Sequence, residues 1–273
     1  MLSTHHLHRR DAGHNRLQGI DVQFAPGRLH GLIGPNGSGK SSLLAALAGD
    51  LLPTEGRVAW QGQDLAHLPP RHLARLRAVL PQQLPASLPY RVSDVLALGR
   101  LPYAGEARQT RATAVRAAAE QTELLPLLAR RYDALSGGQQ ARVQLARVLV
   151  QLHGQPAPGL LLLDEPTAYF DPRWQHACLA LAQAQARAGH VVICVLHDLN
   201  LASQYADRLH LMDGGRLRQS GAPEAVLNSP WLDRAYGMAF DRVADPQHPA
   251  GVMLRGRPDF AFAQAAHQNG AQF

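Results

Sequence analysis

Short apolar segments separated by helix-like stretches are the main pattern along this chain. Residues 29–33, 160–163 and 191–196 are wholly or mainly apolar, whereas a strand with one solvent-facing side would alternate apolar and polar positions. Continuous apolar strands are typical of a parallel sheet that is covered on both faces. Residues 172–188 have a helical pattern with Pro172 in the first turn. The pattern therefore predicts an α/β fold with a parallel or mixed sheet.

The N-terminal residues have a different pattern, typical of antiparallel strands. Val22 and Phe24 alternate with polar neighbours, Pro26-Gly27 marks a turn, and residues 57–60 form a further candidate strand. We therefore expect an antiparallel β subdomain at the N-terminal end of the chain.

Between residues 84 and 135 the chain is rich in Ala, Leu and Arg and is interrupted by prolines. Helical periodicity over residues 92–98, 110–128 and 140–151 predicts an inserted α-helical subdomain. Ser136 is a plausible N-cap for the last of these helices.

The C-terminal third contains one hairpin signal and two short helical patterns. Asp213-Gly214-Gly215 lies between two apolar segments, and helices are predicted over residues 223–227 and 230–236. Beyond Asp241 the sequence predicts no element. We therefore divide the chain into a first domain of residues 1–240 and a tail of residues 241–273. Within the domain, residues 1–83 and 155–240 form the β core and residues 84–154 the helical subdomain.

Composition and charge indicate a globular protein of a reducing compartment. The 273 residues are 46% hydrophobic and 18% charged, which excludes a disordered chain. The two cysteines lack the spacing of a redox or metal motif. No apolar run approaches the roughly 20 residues of a membrane span, and the N-terminus lacks a signal-peptide core. The net charge is +6, but its arginines are scattered, so we expect a cytoplasmic protein without a nucleic acid partner.

A glycine-rich segment follows residues 29–33 and precedes a helix-like stretch. It matches the pattern G-x-x-x-x-G-K-S, in which backbone N–H groups and a helix N-terminus bind phosphate groups. Lys40 would reach the β- and γ-phosphates, and the Ser41 hydroxyl would ligate Mg²⁺. The segment therefore predicts a nucleoside triphosphate site. Its predicted binding residues are Gly34, Pro35, Asn36, Gly37, Ser38, Gly39, Lys40, Ser41 and Ser42.

Three further polar side chains follow predicted parallel strands. Asp164 and Glu165 end the apolar residues 160–163, and His197 follows residues 191–196. Ligands gather at the carboxyl ends of such strands. Asp164 suits Mg²⁺, Glu165 suits a general base that activates water, and His197 suits a contact to the γ-phosphate. The sequence thus predicts hydrolysis as well as binding.

Residues 135–139 are Leu-Ser-Gly-Gly-Gln, the signature of the ATP-binding cassette ATPases, and they lie between the phosphate loop and Asp164 as in that family. The chain resembles this family over roughly residues 3–240. The resemblance implies a P-loop NTPase core, ATP with Mg²⁺, and a homodimer that holds ATP between one copy's phosphate loop and the other's signature. The signature residues that would act in trans are Ser136, Gly137, Gly138 and Gln139.

The same resemblance implies roles for other residues. Gln82 matches the glutamine that senses Mg²⁺ and couples to the transmembrane partner. Asp171 matches the aspartate at the dimer seam, and His197 matches the switch histidine.

The adenine side departs from the family pattern. The family usually has an aromatic residue roughly 25 positions before the first loop glycine, where this chain has His8, Arg9 and Arg10. Because a guanidinium can stack on a base, we expect Arg9 to contact adenine. His5, His6 and His8 could instead form a metal or haem site, but no Cys or carboxylate spacing supports one, and we favour a solvated edge strand.

Within the family, the chain is similar to ATPases of haem, iron-siderophore and cobalamin importers. Residues 78–83, 141–149 and 197–202 resemble the haem importers best. Asp198-Leu199-Asn200 also occurs in the siderophore and cobalamin groups. Residues 167–171 are more similar to the ATPases of siderophore importers. The resemblance implies a subunit at the cytoplasmic face of a bacterial inner membrane, docked on transmembrane permease subunits that a periplasmic haem-binding protein feeds. The alternatives are siderophore or cobalamin import, or a soluble cassette ATPase with no role in transport.

Overall fold

Two sheets and the helices that cover them account for most of the chain. The computed structural model describes residues 1–11, 14–83, 88–155, 158–244 and 252–257. Its strands are β1 (Leu2–Asp11), β2 (His14–Phe24), β3 (Arg28–Ile33), β4 (Glu55–Trp60), β5 (Gln63–Asp64), β6 (Arg77–Leu80), β7 (Leu160–Asp164), β8 (Val191–Val195), β9 (Arg208–Asp213), β10 (Arg216–Gly221), β11 (Ala239–Ala244) and β12 (Val252–Arg257). Its helices are α1 (Lys40–Ala48), α2 (Pro70–Leu76), α3 (Val92–Ala97), α4 (Arg108–Gln121), α5 (Gly137–Leu152), α6 (Pro172–Arg187), α7 (Leu199–Tyr205), α8 (Pro223–Leu227) and α9 (Pro230–Tyr236).

The central sheet has the strand order β10-β9-β3-β8-β7-β6. Every neighbouring pair is parallel except the β9–β10 hairpin. Leu161 and Leu163 face one apolar cluster, and Leu160 and Leu162 face another on the opposite side. Burial on both faces explains why these strands lack polar alternation. The predicted α/β class is confirmed.

The N-terminal sheet is antiparallel, with the order β2-β1-β4-β5. Leu2 pairs with Phe24 on one side and with Trp60 on the other. These side chains are buried in the cluster that also contains Leu43 and Leu47 of α1. The predicted antiparallel subdomain therefore packs on the helix that follows the phosphate loop.

The helical subdomain is formed by α3, α4 and α5, and one predicted boundary is wrong. The periodicity of residues 110–128 predicts one continuous helix, but α4 ends at Gln121. Glu123 has a φ of 53° in the left-handed region, and the Thr122 hydroxyl donates to the carbonyl of Ala118 at 2.7 Å. A residue in the left-handed region ends a helix, and the Thr122 hydroxyl satisfies one of the last helical carbonyls. Pro126 lies in a separate short 3₁₀ turn.

The helix α5 is secured at both of its ends. At its start, the Gln139 N–H donates to Ser136 Oγ at 3.4 Å and the Ser136 N–H to Gln139 Oε1 at 3.1 Å. This is a capping box, and it agrees with the N-cap predicted at Ser136. At its end, Arg100 Nη1 donates to the carbonyls of Val150 at 3.0 Å and His153 at 2.9 Å. The Arg100 guanidinium also pairs with the buried carboxylate of Glu106.

Two histidines lie side by side inside the central sheet. His30 Nδ1 and His210 Nε2 are 3.0 Å apart, and His30 Nε2 lies 3.0 Å from the carbonyl of Ala25. The Ser220 hydroxyl is 2.7 Å from His210 Nδ1. Neutral rings satisfy this whole chain of contacts. Burial lowers the pKa of His30 to about 4 and that of His210 to about 3.

Two strands, β11 and β12, lie beyond residue 238, where the sequence predicts no element. They pair antiparallel from Ala239–Arg257 to Ala244–Val252. Val252 and Leu254 are buried in the large core cluster, so this part of the tail packs on the first domain. No helix in the described part of the chain is long and apolar enough to cross a membrane.

Candidate functional site

The phosphate loop lies between β3 and α1, at the carboxyl end of the central strand. Gly34 has a φ of 142°, and a Cβ there would lie 2.1 Å from the carbonyl oxygen of Met212 in β9. Gly39 has a φ of 99° and caps α1, with a Cβ position 2.7 Å from the carbonyl oxygen of Arg16. Any side chain would therefore push the loop away from its neighbours.

Lys40 is buried at the base of this loop. Its Nζ donates to the carbonyls of Gly34 at 2.8 Å and Pro35 at 2.9 Å. Burial lowers the pKa of Lys40, while the carboxylates of Glu165 and Asp164 oppose this shift. The ammonium can exchange its two neutral acceptors for phosphate oxygens, which form stronger, charge-assisted hydrogen bonds.

Asp164 and Ser41 place two oxygen atoms together beside the loop. The Ser41 hydroxyl donates to Asp164 Oδ1 at 3.1 Å, and burial raises the pKa of Asp164. Gln82 lines the same narrow cleft as Asp164. A hydroxyl, a carboxylate and an amide are ligands that Mg²⁺ accepts. Three such oxygens fit a cation that shares its remaining positions with phosphate and water.

Glu165 and His197 meet across the ends of two adjacent strands. The pairing of Asp164 in β7 with Val195 in β8 sets their separation, and His197 Nε2 lies 2.5 Å from Glu165 Oε1. Glu165 has a φ of 50°. A non-glycine residue in the left-handed region is strained, and such strain is concentrated at functional sites.

These groups line one open cavity of about 910 Å³. The buried hydroxyl of Ser38, in the same loop, has no hydrogen-bond partner among the described residues. A buried, unpaired donor in a phosphate loop indicates that a ligand supplies the acceptor. The lining residues are Asn15, Arg16, Asn36, Gly37, Ser38, Gly39, Lys40, Ser41, Ser42, Gln82, Glu165 and His197.

Comparison with known proteins identifies the family. Residues 17–168 match the sequence profile of the ABC transporter family, which is more than half of the chain. The chain belongs to the ABC transporter family. The predicted recognition is confirmed, and the protein is an ATPase of this family.

Similar proteins cover almost the whole cassette. Hemin import ATP-binding protein HmuV of Pseudomonas fluorescens is 45% identical over 260 residues, which are 94% of this chain and 98% of the relative. The protein of the same name from Gloeobacter violaceus is 43% identical, over 87% of this chain and 88% of the relative. The dimeric structure of a bacterial ABC transporter cassette matches with a TM-score of 0.71 and 23% identity, over 82% of this chain and 99% of that one. The last match supports the fold.

In this cassette Arg9 is not among the residues that line the cavity. The Arg9 guanidinium pairs with Asp11 at 2.5 Å and donates to the carbonyl of Leu52 at 2.8 Å. Arg16 and Asn15, which the sequence did not single out, line the cavity instead. A fixed offset from the loop glycine does not allow for the irregular register between β1 and β2. The close approach of Gly39 to the Arg16 carbonyl is the feature that brings Arg16 to the site.

The signature of the cassette lies outside this cavity in a single chain. Ser136 and Gly137 are exposed at the start of α5, and none of residues 136–139 is among the lining residues. Asp171 is also not among the residues that line the cavity. Its carboxylate accepts from the Trp174 N–H at 2.9 Å and caps α6, while the adjacent Tyr169 is exposed. One chain therefore supplies one part of the predicted site.

Among the N-terminal histidines of the cassette, His6 in β1 pairs with Asp21 in the neighbouring strand β2. His6 Nδ1 lies 3.2 Å from Asp21 Oδ2, and both side chains are well exposed. No metal-binding group of three residues is found in the described part of β1 and β2 or elsewhere in the described ranges. Strand β1 lies between β2 and β4, so the predicted edge strand is wrong. His5 and His6 are nevertheless exposed to solvent, as that interpretation expected.

Proposed function

We propose that this protein is the ATP-hydrolysing subunit of a bacterial haem importer. The cavity that brings Lys40, Ser41 and Glu165 together carries the hydrolytic part of this proposal. Sequence identity of 45% over nearly the full length of a hemin import ATP-binding protein supports the substrate.

The proposed active form is a homodimer with two ATP molecules between its subunits. The N-terminus of α5 at Ser136 has the geometry of an anion site, since backbone N–H groups in the first turn of a helix point towards an approaching anion. It lies outside its own chain's cavity, so a second copy is the partner that would use it. Gly137, Gly138 and Gln139 would act with it on the γ-phosphate, and Asp171 would lie at the seam.

Hydrolysis in this dimer requires attack of water on the γ-phosphate. Glu165 would orient the water and accept its proton, and His197 would hold that carboxylate and reach the γ-phosphate. Lys40 and the partner's Ser136 would stabilise charge on the transferring group. The backbone N–H groups of Gly37, Gly39, Lys40 and Ser41 would hold the remaining phosphate oxygens.

Mg²⁺ would be held by Ser41, Asp164 and Gln82, the three oxygen donors that meet beside the loop. When bound, the ion neutralises charge on the β- and γ-phosphates. The hydrogen bond from Ser41 to Asp164 keeps both oxygens aimed at the same point before it binds.

Arg16 takes the place of Arg9 as our candidate for the adenine contact. It lines the cavity next to the loop, and its side chain is largely exposed. A guanidinium can stack on a base without reading its edges, so we expect loose base selectivity.

The proposed membrane partner is a pair of transmembrane permease subunits, with the cassette at the cytoplasmic face. They would dock on the helical subdomain and sense ATP through Gln82. Tyr90, Leu98 and Leu101 are exposed on this subdomain at 53%, 40% and 71%, and exposed apolar groups mark interaction surfaces. A periplasmic haem-binding protein would deliver the substrate to these subunits.

The test is ATP hydrolysis by the cassette with its cognate membrane subunits in lipid vesicles. We expect haem with its binding protein to stimulate hydrolysis, and ferric siderophore and cobalamin with theirs to have no effect. A Glu165→Gln transporter is the control for contaminating ATPases. Stimulation by siderophore or cobalamin alone would assign a different substrate, and co-purification with ribosomes or DNA in place of a membrane protein would assign a non-transport role.

A further inference from the structure

A C-terminal unit, formed by α8, α9, β11 and β12, contacts the site at two separate points. One contact is made by Tyr236 at the end of α9, and the other by Leu254 in β12. The second contact uses Asn200, from the motif Asp198-Leu199-Asn200. These three residues are not among those that line the cavity.

The first contact fixes the start of the phosphate loop. The Gly34 N–H donates to the Tyr236 hydroxyl at 3.0 Å, and the Gly34 carbonyl accepts from Lys40 at 2.8 Å. Gly34 is buried, so loss of the hydroxyl would leave its N–H unpaired away from water. Burial also raises the pKa of Tyr236 to about 12, and the hydroxyl therefore stays protonated.

The second contact fixes the helix that follows His197. The Leu254 N–H donates to Asn200 Oδ1 at 2.8 Å, and Asn200 Nδ2 donates to the Leu254 carbonyl at 3.2 Å. The Asn200 amide thus makes the same two hydrogen bonds with Leu254 of β12 that the backbone of a neighbouring strand would make. Asp198 caps the same helix by accepting from the N–H groups of Asn200 at 2.8 Å and Leu201 at 3.0 Å. The first turn of α7, and with it the chain at His197, is held by β12.

Contacts within the C-terminal unit join the two points into one body. Arg242 in β11 donates to both carboxylate oxygens of Asp233 in α9, at 2.8 and 3.0 Å. It also donates to the carbonyl of Leu227 at the end of α8, at 3.1 Å. The ring of Phe240 lies edge-on against Tyr236, with centroids 5.8 Å apart. Arg242 is also paired with Leu254 across β11 and β12, so a continuous set of contacts connects Tyr236 to Leu254.

We propose that Tyr236 and Asn200 are positioning residues for ATP hydrolysis, through which the C-terminal unit holds Gly34 and the helix after His197 in a fixed relation. The inference rests on the proposed ATPase function and deepens it. A tail that only adds stability would lower the amount of folded protein when these contacts are lost. A positioning unit instead changes the kinetic constants of the protein that remains folded.

The Tyr236→Phe variant removes one oxygen atom and keeps the ring. In the reconstituted transporter we expect KM for ATP to rise about five- to thirtyfold, the effect of one unpaired buried donor, with little change in kcat. Tyr205→Phe is the matched control, because the Tyr205 hydroxyl contacts His176 Nδ1 at 2.8 Å on the surface. We expect its KM to equal that of the wild type.

The Asn200→Ala variant tests the other contact. We expect kcat per bound nucleotide to fall about tenfold with KM for ATP unchanged, because small displacements of a catalytic group have large effects on rate. Asn228→Ala is the control, since Asn228 is an exposed residue of the same unit. Titration of bound nucleotide corrects both variants for any loss of folded protein.

The outcomes separate this inference from the proposed function. A wild-type transporter that binds but does not hydrolyse ATP would refute the ATPase function itself. A wild type that hydrolyses ATP, with Tyr236→Phe at the wild-type KM or with Asn200→Ala at the wild-type kcat per bound nucleotide, would overturn the positioning role. A lower midpoint of thermal unfolding in either variant, without these kinetic changes, would also overturn the positioning role.

Discussion

The imidazole Nε2 of His197 lies 2.5 Å from Oε1 of Glu165. Glu165 follows β7 and His197 follows β8, and these strands are neighbours in the sheet. The two residues therefore form a unit whose geometry is set by strand pairing. A carboxylate that is held in this way needs no reorganisation when water and the γ-phosphate approach it.

The first prediction concerns Glu165. The Glu165→Gln variant keeps the shape of the side chain but cannot accept a proton, so we expect ATP turnover to fall about 10²- to 10⁴-fold. Binding of ATP should persist, because Lys40 and the loop are unchanged. Turnover is measured in the assembled transporter and binding by equilibrium titration. Glu120→Gln, at an exposed helical pair with Arg116, is the control, and normal turnover by Glu165→Gln would remove Glu165 from the catalytic role.

The second prediction concerns the site shared between two copies. Ser136→Arg fills the signature of one chain, and Lys40→Ala disables the phosphate loop of another, so each variant alone should be inactive. When both are co-assembled, we expect about one quarter of the wild-type rate, since half of random dimers are mixed and each mixed dimer has one intact site.

The same experiment contains its own controls. Ser136→Thr keeps a capping hydroxyl and should retain activity. Ser136→Arg alone should still bind ATP at its own Lys40. Full hydrolysis by Ser136→Arg alone, or no recovery in the mixed assembly, would contradict the shared site.

The third prediction compares two arginines. Both arginines pair with Asp11, but Arg16 lines the cavity and Arg9 does not. We expect Arg16→Ala to raise KM for ATP about two- to thirtyfold, the effect of a lost cation–π stack, and Arg9→Ala to leave it unchanged. Steady-state kinetics with ATP and GTP check both variants. A larger rise for Arg9→Ala would restore Arg9 as the adenine contact.

The fourth prediction concerns the pH dependence of stability. In the unfolded chain a histidine binds its proton near pH 6.5, whereas the folded pKa is about 4 for His30 and about 3 for His210. Below pH 6.5 the unfolded state thus binds more protons. The free energy of unfolding should be greatest above this pH and should fall by about 1 kcal/mol per unit for each histidine as the pH approaches 4.

Urea unfolding between pH 7 and 5 measures this slope. The His210→Gln variant removes one of the two groups, and its slope should be smaller than that of the wild type. The exposed His67, changed to Gln, serves as the control. An equal slope in the wild type and in His210→Gln would show that the buried pair is not its cause.

Local pattern predicted those features that depend on a few consecutive residues. The phosphate loop and the strand before Asp164 are examples, because glycine spacing and continuous apolar residues specify them without distant contacts. Ser136 is a third example, since a capping box is a property of four residues.

Features that depend on distant contacts could not be predicted in this way. Arg16 lines the cavity where Gly39 and Gly215 both pack closely against its carbonyl. Strand β12 has a defined place because Asn200, 54 residues earlier, pairs with Leu254. The end of α4 depends on a left-handed Glu123, which periodicity alone does not specify.

The two ends of α5 have a mechanical consequence. The helix is 16 residues long, about 24 Å at the usual rise. Ser136 caps one end of the helix. At the other end Arg100, next to the exposed Leu101, donates a hydrogen bond to the carbonyl of Val150. A helix tied in this way is displaced along its axis more easily than it is compressed. In the proposed dimer we therefore expect a displacement at Leu101 to be transmitted along α5 to Ser136 and the nucleotide that it contacts on the other copy.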